Sequence, residues 1–339
     1  MIYLKNLAKV AVLASTMIFM SACNIGIGSL GSGSNSTPSP IPTPAPTPTP
    51  IPNQWLQVGA APPLTSNNLM YDGATNQLFM GLAYSDNVLC FISANATSNN
   101  DWDCSIQPPE SLSSTTNYTT DGNGHIYIIG QQLQSINWNI YTYSTQRKSW
   151  SIQSINNGIS DYSNMGWYYS NNYLYDGGSG INAATINLTT GNVGSYTPLP
   201  LAPSDFKVIA TLNGVVYYRV SNASMIYKRD IQSSQTATQF GQSLNLEYIR
   251  SITSMGQNIY ACGGASASDG NLYVNYLPIG SGVNAEWHKL PPISASEFSR
   301  DVIFQPACED MTSGNGYVFV YNLYPDGVSG KFVVMKYKI

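Results

Sequence analysis

A repeat of about 48 residues runs from residue 54 to residue 339 and constrains the fold more than any other feature of the chain. Each copy has a turn rich in Gly or Asn, followed by an aliphatic residue and then an aromatic one. These pairs are Leu78-Phe79, Ile126-Tyr127, Leu174-Tyr175, Val216-Tyr217, Ile259-Tyr260 and Val318-Phe319. Because one short unit cannot bury its own apolar face, successive units must pack on one another. The repeat therefore predicts a solenoid, a propeller or a similar array.

Four short runs of β-type residues in each copy distinguish between these arrays. In the second copy they are Tyr118–Thr120, His125–Gly130, Trp138–Tyr143 and Trp150–Gln153. Turn residues separate the runs, and no stretch has a convincing helical period. Four strands per repeat at this period are the pattern of a β-propeller blade.

The two ends of the repeat predict how the ring closes. The last copy supplies three runs, at Val302–Gln305, Tyr317–Leu323 and Phe332–Tyr337, and lacks the fourth. A run of that kind stands at the opposite end as Gln54–Val58, with a tryptophan at position 55. Pairing the terminal strands removes an open sheet edge. We predict an all-β, six-bladed β-propeller whose last blade is closed by the N-terminal strand around Trp55.

Several copies resemble the kelch repeat, which has an aliphatic-Tyr pair, a diglycine and a later Trp-x-x-Leu-Pro. The diglycine occurs in Leu174-Tyr175-Asp176-Gly177-Gly178 and in Ile259-Tyr260-Ala261-Cys262-Gly263-Gly264, and the later half in Trp287-His288-Lys289-Leu290-Pro291. Blades one and two keep single glycines, Gly81 and Gly130. The resemblance implies a kelch-like propeller and does not specify a function, because kelch propellers include both binders and enzymes.

The first 53 residues have the pattern of a secreted, tethered protein. Lys5 and Lys9 precede a short apolar stretch, and Met20-Ser21-Ala22-Cys23 then resembles the lipobox of bacterial lipoproteins. We predict a signal peptide at 1–22 and a lipidated Cys23 that carries acyl chains such as palmitate. A disordered linker, first Gly/Ser-rich and then Pro/Thr-rich, occupies 23–53, and the propeller occupies 54–339. The alternative is an ordinary cleaved signal, with Cys23 as a free thiol.

The charge of the chain and its targeting segment limit which partners and which cell compartment we expect. Charged residues make up 9% of the chain and its net charge is −4, so no basic face is available for nucleic acid. Asn24 follows the lipidation site, where inner-membrane lipoproteins commonly have Asp. We therefore expect a monomer in the cell envelope, anchored by lipid to the outer membrane and facing the periplasm or the outside.

Four further cysteines predict two disulfides in such an oxidising compartment. Cys90 and Cys104 lie in neighbouring strands of blade one, within bridging range. Cys262 and Cys308 then pair by elimination. No cysteine pair has the spacing of metal ligands, and His125 and His288 are the only histidines. We therefore expect no metal and no cofactor.

A polar residue and an aromatic residue precede the first strand of most blades. The loops entering the first strands share one face of a propeller with the loops between second and third strands. We call this face the loop face. The polar positions are Asn68, Asn117, Asp161, Asp205, Glu247 and Glu297. A ring of such groups could bind a cation or a hydroxyl-rich ligand. The alternative, which we prefer, is that they cap turns and belong to the repeat architecture.

Two arginines stand two residues after such aromatics, Arg250 and Arg300. Arginine guanidinium groups at the channel mouth could bind the carboxylate of an anionic sugar through paired hydrogen bonds. With Glu247 or Glu297 as acid/base, the chain would then resemble the bacterial kelch enzyme N-acetylneuraminate epimerase. The alternative, which we prefer, is that each arginine pairs with an acidic residue of a neighbouring blade.

These observations favour a binding module over an enzyme. We expect a membrane-tethered propeller that recognises a protein or a glycan with its loop face and has no catalytic residues. Asp161, Asp205, Glu247, Glu297, Arg250 and Arg300 are the candidate ligand-binding residues. The alternative is a carbohydrate-active enzyme such as a sialic-acid epimerase or mutarotase.

Overall fold

Twenty-five strands are formed by the residues described in the computed structural model. Those residues are 54–62, 68–81, 88–115, 117–133, 135–156, 167–176, 184–195, 209–219, 224–231, 236–246, 249–263, 271–293, 307–323 and 333–339. The predicted signal peptide, Cys23 and the linker lie outside them.

In chain order, the strands are β1 (Leu56–Val58), β2 (Leu69–Asp72), β3 (Gln77–Gly81), β4 (Leu89–Ser93), β5 (Asp103–Ile106), β6 (Leu112–Thr115), β7 (Thr119–Thr120), β8 (His125–Gln132), β9 (Trp138–Ser144), β10 (Ser149–Ser154), β11 (Trp167–Ser170), β12 (Tyr173–Asp176), β13 (Ala184–Asn187), β14 (Val193–Ser195), β15 (Ile209–Leu212), β16 (Val215–Arg219), β17 (Ile226–Asp230), β18 (Thr238–Phe240), β19 (Ile249–Met255), β20 (Asn258–Gly263), β21 (Val274–Pro278), β22 (His288–Lys289), β23 (Ala307–Gly314), β24 (Tyr317–Leu323) and β25 (Val333–Lys338).

Six antiparallel sheets contain all of these strands. Blades 1 to 5 consist of β2–β5, β6–β10, β11–β14, β15–β18 and β19–β22, and blade 6 consists of β23–β25 with β1 at its outer edge. β1 is antiparallel to β25, with Leu56 opposite Lys336 and Val58 opposite Val334. The fold is therefore a six-bladed β-propeller closed by its N-terminal strand, which confirms the predicted fold class.

Tight turns join the first two strands of the blades, as the Gly/Asn pattern predicts. Asn213 and Gly214, between β15 and β16, have φ values of 53° and 76°. Asn315 and Gly316, between β23 and β24, have φ values of 49° and 76°. Positive φ at both central positions matches the right-handed twist of the flanking strands.

The predicted runs of the second copy agree with blade 2 to within about two residues at each end, and the inner strand differs most. It is divided into β6 and β7, which both pair with β8 on either side of an interruption near Tyr118. The sequence pattern predicted only the second piece, because Leu112–Thr115 lacks aromatic residues and follows a Pro-Pro turn.

The inner strand of blade 6 differs in position from the run that the sequence predicted for it. The run proposed for it was Val302–Gln305, which lies outside the described residues. The strand that pairs with β24 is β23, at Ala307–Gly314. The β pattern of residues 302–305 is more apolar than that of Cys308-Glu309-Asp310, so composition did not reveal the strand that the structure describes.

Apolar side chains from adjacent blades form the core. Buried residues of blades 1 and 2, for example, form a single cluster that includes Phe79, Tyr118 and Tyr141. Gly81, the single glycine of the blade 1 motif, lies directly against Tyr118 of blade 2. A Cβ atom at this position would stand 1.9 Å from the tyrosine ring. The glycine is therefore required by the close approach of the next blade.

Three tryptophans link the outer strands of adjacent blades in the same way. Each indole Nε1 donates to a backbone carbonyl that follows the outer strand of the preceding blade, and we call this contact an indole bridge. The three bridges are Trp287 to Gln242 (2.9 Å), Trp55 to Pro291 (2.7 Å) and Trp102 to Ala60 (3.2 Å). They join blade 4 to 5, 5 to 6 and 6 to 1, which gives the repeated tryptophan its structural role.

A buried carboxylate, Asp72, links the turns of blades 1 and 2. Within its own turn it accepts hydrogen bonds from the backbone N–H groups of Ala74 and Thr75 and from the Thr75 hydroxyl. From blade 2 it accepts the Gly124 N–H at 2.6 Å and the Thr145 hydroxyl at 2.7 Å. Five donors compensate for the complete burial of this charge.

Both predicted disulfides are present. Cys90 of β4 bonds to Cys104 of β5 within blade 1. Cys262 of β20 bonds to Cys308 of β23, which joins blade 5 to blade 6.

Buried tyrosines predict a loss of stability at alkaline pH. Burial is the largest cause that raises the pKa of Tyr118, Tyr141, Tyr217, Tyr218 and Tyr260 above its usual value. In the unfolded chain these hydroxyls lose their protons near pH ~10, whereas in the folded chain they stay protonated. The unfolded state therefore binds fewer protons above that pH. The free energy of unfolding should fall there by up to about 1.4 kcal/mol per pH unit for each tyrosine.

Urea unfolding at about pH 8 and about pH 11, followed by circular dichroism, measures this change across the window set by the unfolded tyrosine pKa. A further rise in tyrosinate absorbance, from the buried tyrosines, should accompany unfolding. Equal free energies of unfolding at the two pH values would contradict the prediction.

Candidate functional site

The inner strands of the six blades enclose a central channel with a cavity of about 220 Å³. β2, β7, β11, β15, β19 and β23 all contribute to its wall. The wall includes amide, hydroxyl and carboxylate side chains together with apolar ones. The partners of these polar groups determine what chemistry the channel can perform.

Two of the predicted polar-ring residues, Asn68 and Asn117, bind the backbone of neighbouring blades. The Asn68 amide donates to the carbonyl of Tyr118 in blade 2 at 2.7 Å. The Asn117 amide donates to the carbonyl of Trp167 in blade 3 at 3.0 Å, and its oxygen accepts the Trp167 N–H at 2.7 Å. At these two positions the structure shows the contacts that a role in the repeat architecture requires.

Hydroxyl side chains make the same kind of link between blades 3, 4, 5 and 6. Thr211 donates to the carbonyl of Tyr169, and Ser254 donates to the carbonyl of Thr211. Ser313 in turn donates to the carbonyl of Ser254. The described part of the channel wall thus uses its small polar groups to join each inner strand to the next.

Asp310 is the carboxylate in the described part of this wall, and the repeat pattern did not reveal it. The residue is 6% exposed. Its carboxylate accepts the Leu69 N–H of blade 1 at 2.7 Å, the Ser251 hydroxyl of blade 5 at 2.9 Å and the Met311 N–H at 2.8 Å. Asp310 therefore connects blade 6 to both of its neighbours. Its signal in the sequence is a charged residue inside a β run, next to Met311.

Arg250 forms an ion pair with Glu309 across blades 5 and 6. The pairing register of β19 shifts between Ile249 and Ser251, and that of β23 shifts between Cys308 and Asp310. Arg250 and Glu309 are therefore the extra residues of two β-bulges, which turn side chains out of the regular alternation. Arg250 has an acidic partner in a neighbouring blade, although this partner is not one of the acidic residues that the repeat singled out.

The other candidate ligand-binding residues, Asp161, Asp205, Glu247, Glu297 and Arg300, lie outside the described residues. Their spacing from the inner strands nevertheless bears on their supposed equivalence. Glu247 stands two residues before β19, whereas Glu297 stands ten residues before β23. The two glutamates, and likewise Arg250 and Arg300, therefore differ in their sequence spacing from the inner strands. Glu309 takes the blade 6 position that corresponds to Arg250.

The loop face is described best at blade 2. There, residues 107–111 enter the inner strand, and residues 133 and 135–137 connect β8 to β9. The Leu133 N–H donates to the carbonyl of Ser111 at 2.9 Å, which holds the two loops together. Leu133 is 57% exposed and Ile136 is 88% exposed. Two large apolar side chains therefore project from this loop without cover from the rest of the chain.

Neither histidine belongs to a metal site in the part of the chain that the structure describes. His125 Nδ1 lies 2.8 Å from a carboxylate oxygen of Asp121 in the β7–β8 turn. His288 is exposed on β22 and lies beside Tyr276. The described residues contain no group of three or more potential metal-binding side chains. They also contain no helix with the length and apolar character needed to span a membrane.

No family model and no curated protein matches the chain. Among solved structures, it is similar to a Bacteroides thetaiotaomicron protein of unknown function, with a TM-score of 0.49, 14% identity, and coverage of 83% of this chain and 74% of that one. It is also similar to YCF48 bound to a D1 peptide (TM-score 0.44, 9% identity, 88% and 100% coverage). A third is BamB from Moraxella catarrhalis (0.36, 12%, 85% and 99%). Inferences about individual residues therefore rest on the geometry of this chain.

Proposed function

We propose that the protein is a monomeric, lipid-tethered binding module that recognises a protein partner with the loop face of its propeller. The β-propeller fold commonly serves as a scaffold for protein binding. A rigid ring that presents loops of variable sequence suits this task, because loops carry recognition while the strands hold them in place.

The observation that carries the proposal is the exposure of Leu133 and Ile136 on the blade 2 loop. Leaving a large aliphatic side chain in water forgoes about 1.5–3 kcal/mol that its burial would contribute. Two such residues, three positions apart on one loop, offer a protein partner an apolar contact. The adjacent Pro108-Pro109 turn restricts the backbone beside them, which lowers the entropy lost on binding.

The channel supports a role in binding more than one in catalysis. The carboxylate of Asp310 accepts three hydrogen bonds, and the described amides and hydroxyls of the wall join the blades. Arg250, which an enzyme acting on an anionic sugar would need, pairs with Glu309.

The tether and the location rest on the sequence. Cys23 within Met20-Ser21-Ala22-Cys23 supports lipidation, and Asn24 supports the outer membrane over the inner one. The uncharged Pro/Thr-rich linker would hold the propeller away from the membrane surface.

Comparative cross-linking of the full-length protein in its own cell envelope tests the proposal. A protein that cross-links to the wild type should be lost from a Leu133→Asp/Ile136→Asp double variant, since two buried charges would oppose the contact. Val283→Asp is the matched control. Val283 is 48% exposed, but it lies in the β21–β22 connection on the opposite face.

The control variant should keep the cross-linked partner. The proposal fails if the double variant retains the same partner as the wild type, or if no protein is cross-linked to the wild type at all.

A further inference from the structure

The outer contact between blades 1 and 2 lacks the indole bridge that joins blade 4 to 5, blade 5 to 6 and blade 6 to 1. Trp150, in β10 of blade 2, corresponds to Trp102, Trp287 and Trp55, but among the described residues its indole makes no hydrogen bond. A cavity of about 370 Å³ lies at this contact instead. We call it the blade 1–2 groove.

Aromatic rings form one part of the groove wall. Phe79 of β3 and Phe91 of β4 stack with their centroids 5.9 Å apart, and Tyr143 of β9 lies 5.2 Å from Trp150. Phe79 and Tyr143 are buried, whereas Phe91 and Trp150 are partly exposed. The groove therefore offers aromatic surface that solvent or a ligand can reach.

Polar groups of both charges form the rest of the wall. Asp103 of β5 and Lys148 of the β9–β10 turn both line the groove, and both are exposed. One Asp103 oxygen accepts the N–H of Ser105 at 2.9 Å. Neither side chain forms an ion pair with the other or with any other described residue. Two causes raise the pKa of the Tyr143 hydroxyl: burial is the larger, and the negative charge of Asp103 is the smaller. The Asp103 carboxylate therefore lies close to the aromatic wall.

This combination favours one class of ligand. A fully apolar ligand would gain nothing from the carboxylate and the ammonium group, and the attraction of an ion to one of these groups would be opposed by its repulsion from the other. A sugar hydroxyl both donates and accepts, so one ring can bond to Asp103 and to Lys148 while its C–H face covers an aromatic ring. The volume is within the usual range for small-molecule sites.

We propose that the blade 1–2 groove binds a neutral carbohydrate, with a pyranose ring against Trp150. The ring's hydroxyls donate to the Asp103 carboxylate and accept from the Lys148 ammonium group. This site lies at the outer strands and is independent of the protein contact proposed for Leu133 and Ile136.

Calorimetric titration of the full-length protein with cellotriose, maltotriose and chitotriose tests the site, in a detergent that carries no sugar. At least one of the three should bind with a Kd of about 1 mM or tighter. Trp150→Ala should weaken that binding at least about tenfold, and Trp150→Phe, which keeps an aromatic face, by no more than about threefold. Asp103→Asn should weaken it by about tenfold, because the amide replaces a charged acceptor.

Ile152→Ala is the matched control, because Ile152 lies two residues along the same strand, is 45% exposed and does not line the groove. It should bind the sugar as the wild type does. Thermal unfolding checks that each variant is folded. If Trp150→Ala does not fold, Asp103→Asn alone tests the site. Position 103 is exposed, and the side-chain oxygen of an asparagine can still accept the hydrogen bond from the Ser105 N–H. The Leu133→Asp/Ile136→Asp variant should also keep full sugar binding, which separates this site from the proposed function.

Three outcomes would overturn the proposal. None of the three trisaccharides binds; or one binds equally well to the Trp150→Ala and Asp103→Asn variants; or a peptide library yields ligands that require Trp150 while no sugar binds. The last outcome would assign the groove to a peptide.

Discussion

A chain that begins at Ala61 should not fold cooperatively, whereas a chain that begins at Gln54 should fold like the full-length protein. The shorter chain lacks β1, which covers the open edge of β25. It also lacks Trp55 and Val58, which are buried. Two indole bridges are lost as well, because Trp55 is the donor of one and Ala60 is the acceptor of the other. Loss of one buried tryptophan alone costs about 3–5 kcal/mol. With Val58 and the strand pairing added, the loss is comparable to the whole stability of a typical domain, about 5–15 kcal/mol.

Urea unfolding followed by tryptophan fluorescence and by circular dichroism measures this difference. The chain that begins at Gln54 should give one sigmoidal transition, and the shorter chain a broad, non-cooperative change. A synthetic peptide of residues 54–62 should restore the transition to the shorter chain in a concentration-dependent manner, because it binds only the folded state. A cooperative transition at an unchanged midpoint without the peptide would show that β1 does not close the ring.

Asp72→Ala should lower the free energy of unfolding by about 4 kcal/mol, among the largest effects expected of a single substitution. The change leaves five donors without their acceptor, and those from Gly124 and Thr145 connect two blades. Asp72→Asn keeps one acceptor oxygen and should cost roughly half as much.

Asp101→Ala provides the matched control for this experiment. Asp101 is exposed, and no hydrogen bond or ion pair engages its side chain among the described residues. Its removal should change the free energy of unfolding by no more than about 0.5 kcal/mol. If Asp72→Ala costs as little as Asp101→Ala, the carboxylate does not link the turns of blades 1 and 2.

Sequence periodicity predicted the fold because each blade repeats local rules. Alternating apolar residues, Asn-Gly turns and one large aromatic per unit are properties of short segments, so they can be read without knowing what packs on them. Trp55 was recognisable as part of the missing strand for the same reason. The sequence did not reveal β23, the described inner strand of blade 6, because Glu309 and Asp310 interrupt its apolar pattern and their partners are in other blades.

The residues of the candidate site were harder to predict from such local patterns. Asp310 and Asp72 are buried carboxylates whose hydrogen-bond donors come from distant parts of the chain. The Thr145 hydroxyl, for example, donates to Asp72 from 73 residues away. Nothing local distinguishes such a residue from an aspartate in an exposed turn. Glu309 was missed because β-bulges shift the register by one residue, and a repeat aligned on its aromatic residues does not show a bulge. The disulfides were predictable because four cysteines allow few pairings.

The pairing of β1 with β25 also has a consequence for the time order of folding. Leu56 and Lys336 are opposite each other across the last blade, yet a ribosome makes the chain from its N-terminal end. β1 therefore exists without a partner strand while blades 1 to 5 are being synthesised. The ring can close only after Val333–Lys338 has been made, so that one of the first segments of the propeller to be synthesised is among the last to be placed. Contacts of such long sequence separation slow folding, and during this interval the unpaired edge of β1 is open to pairing with another chain.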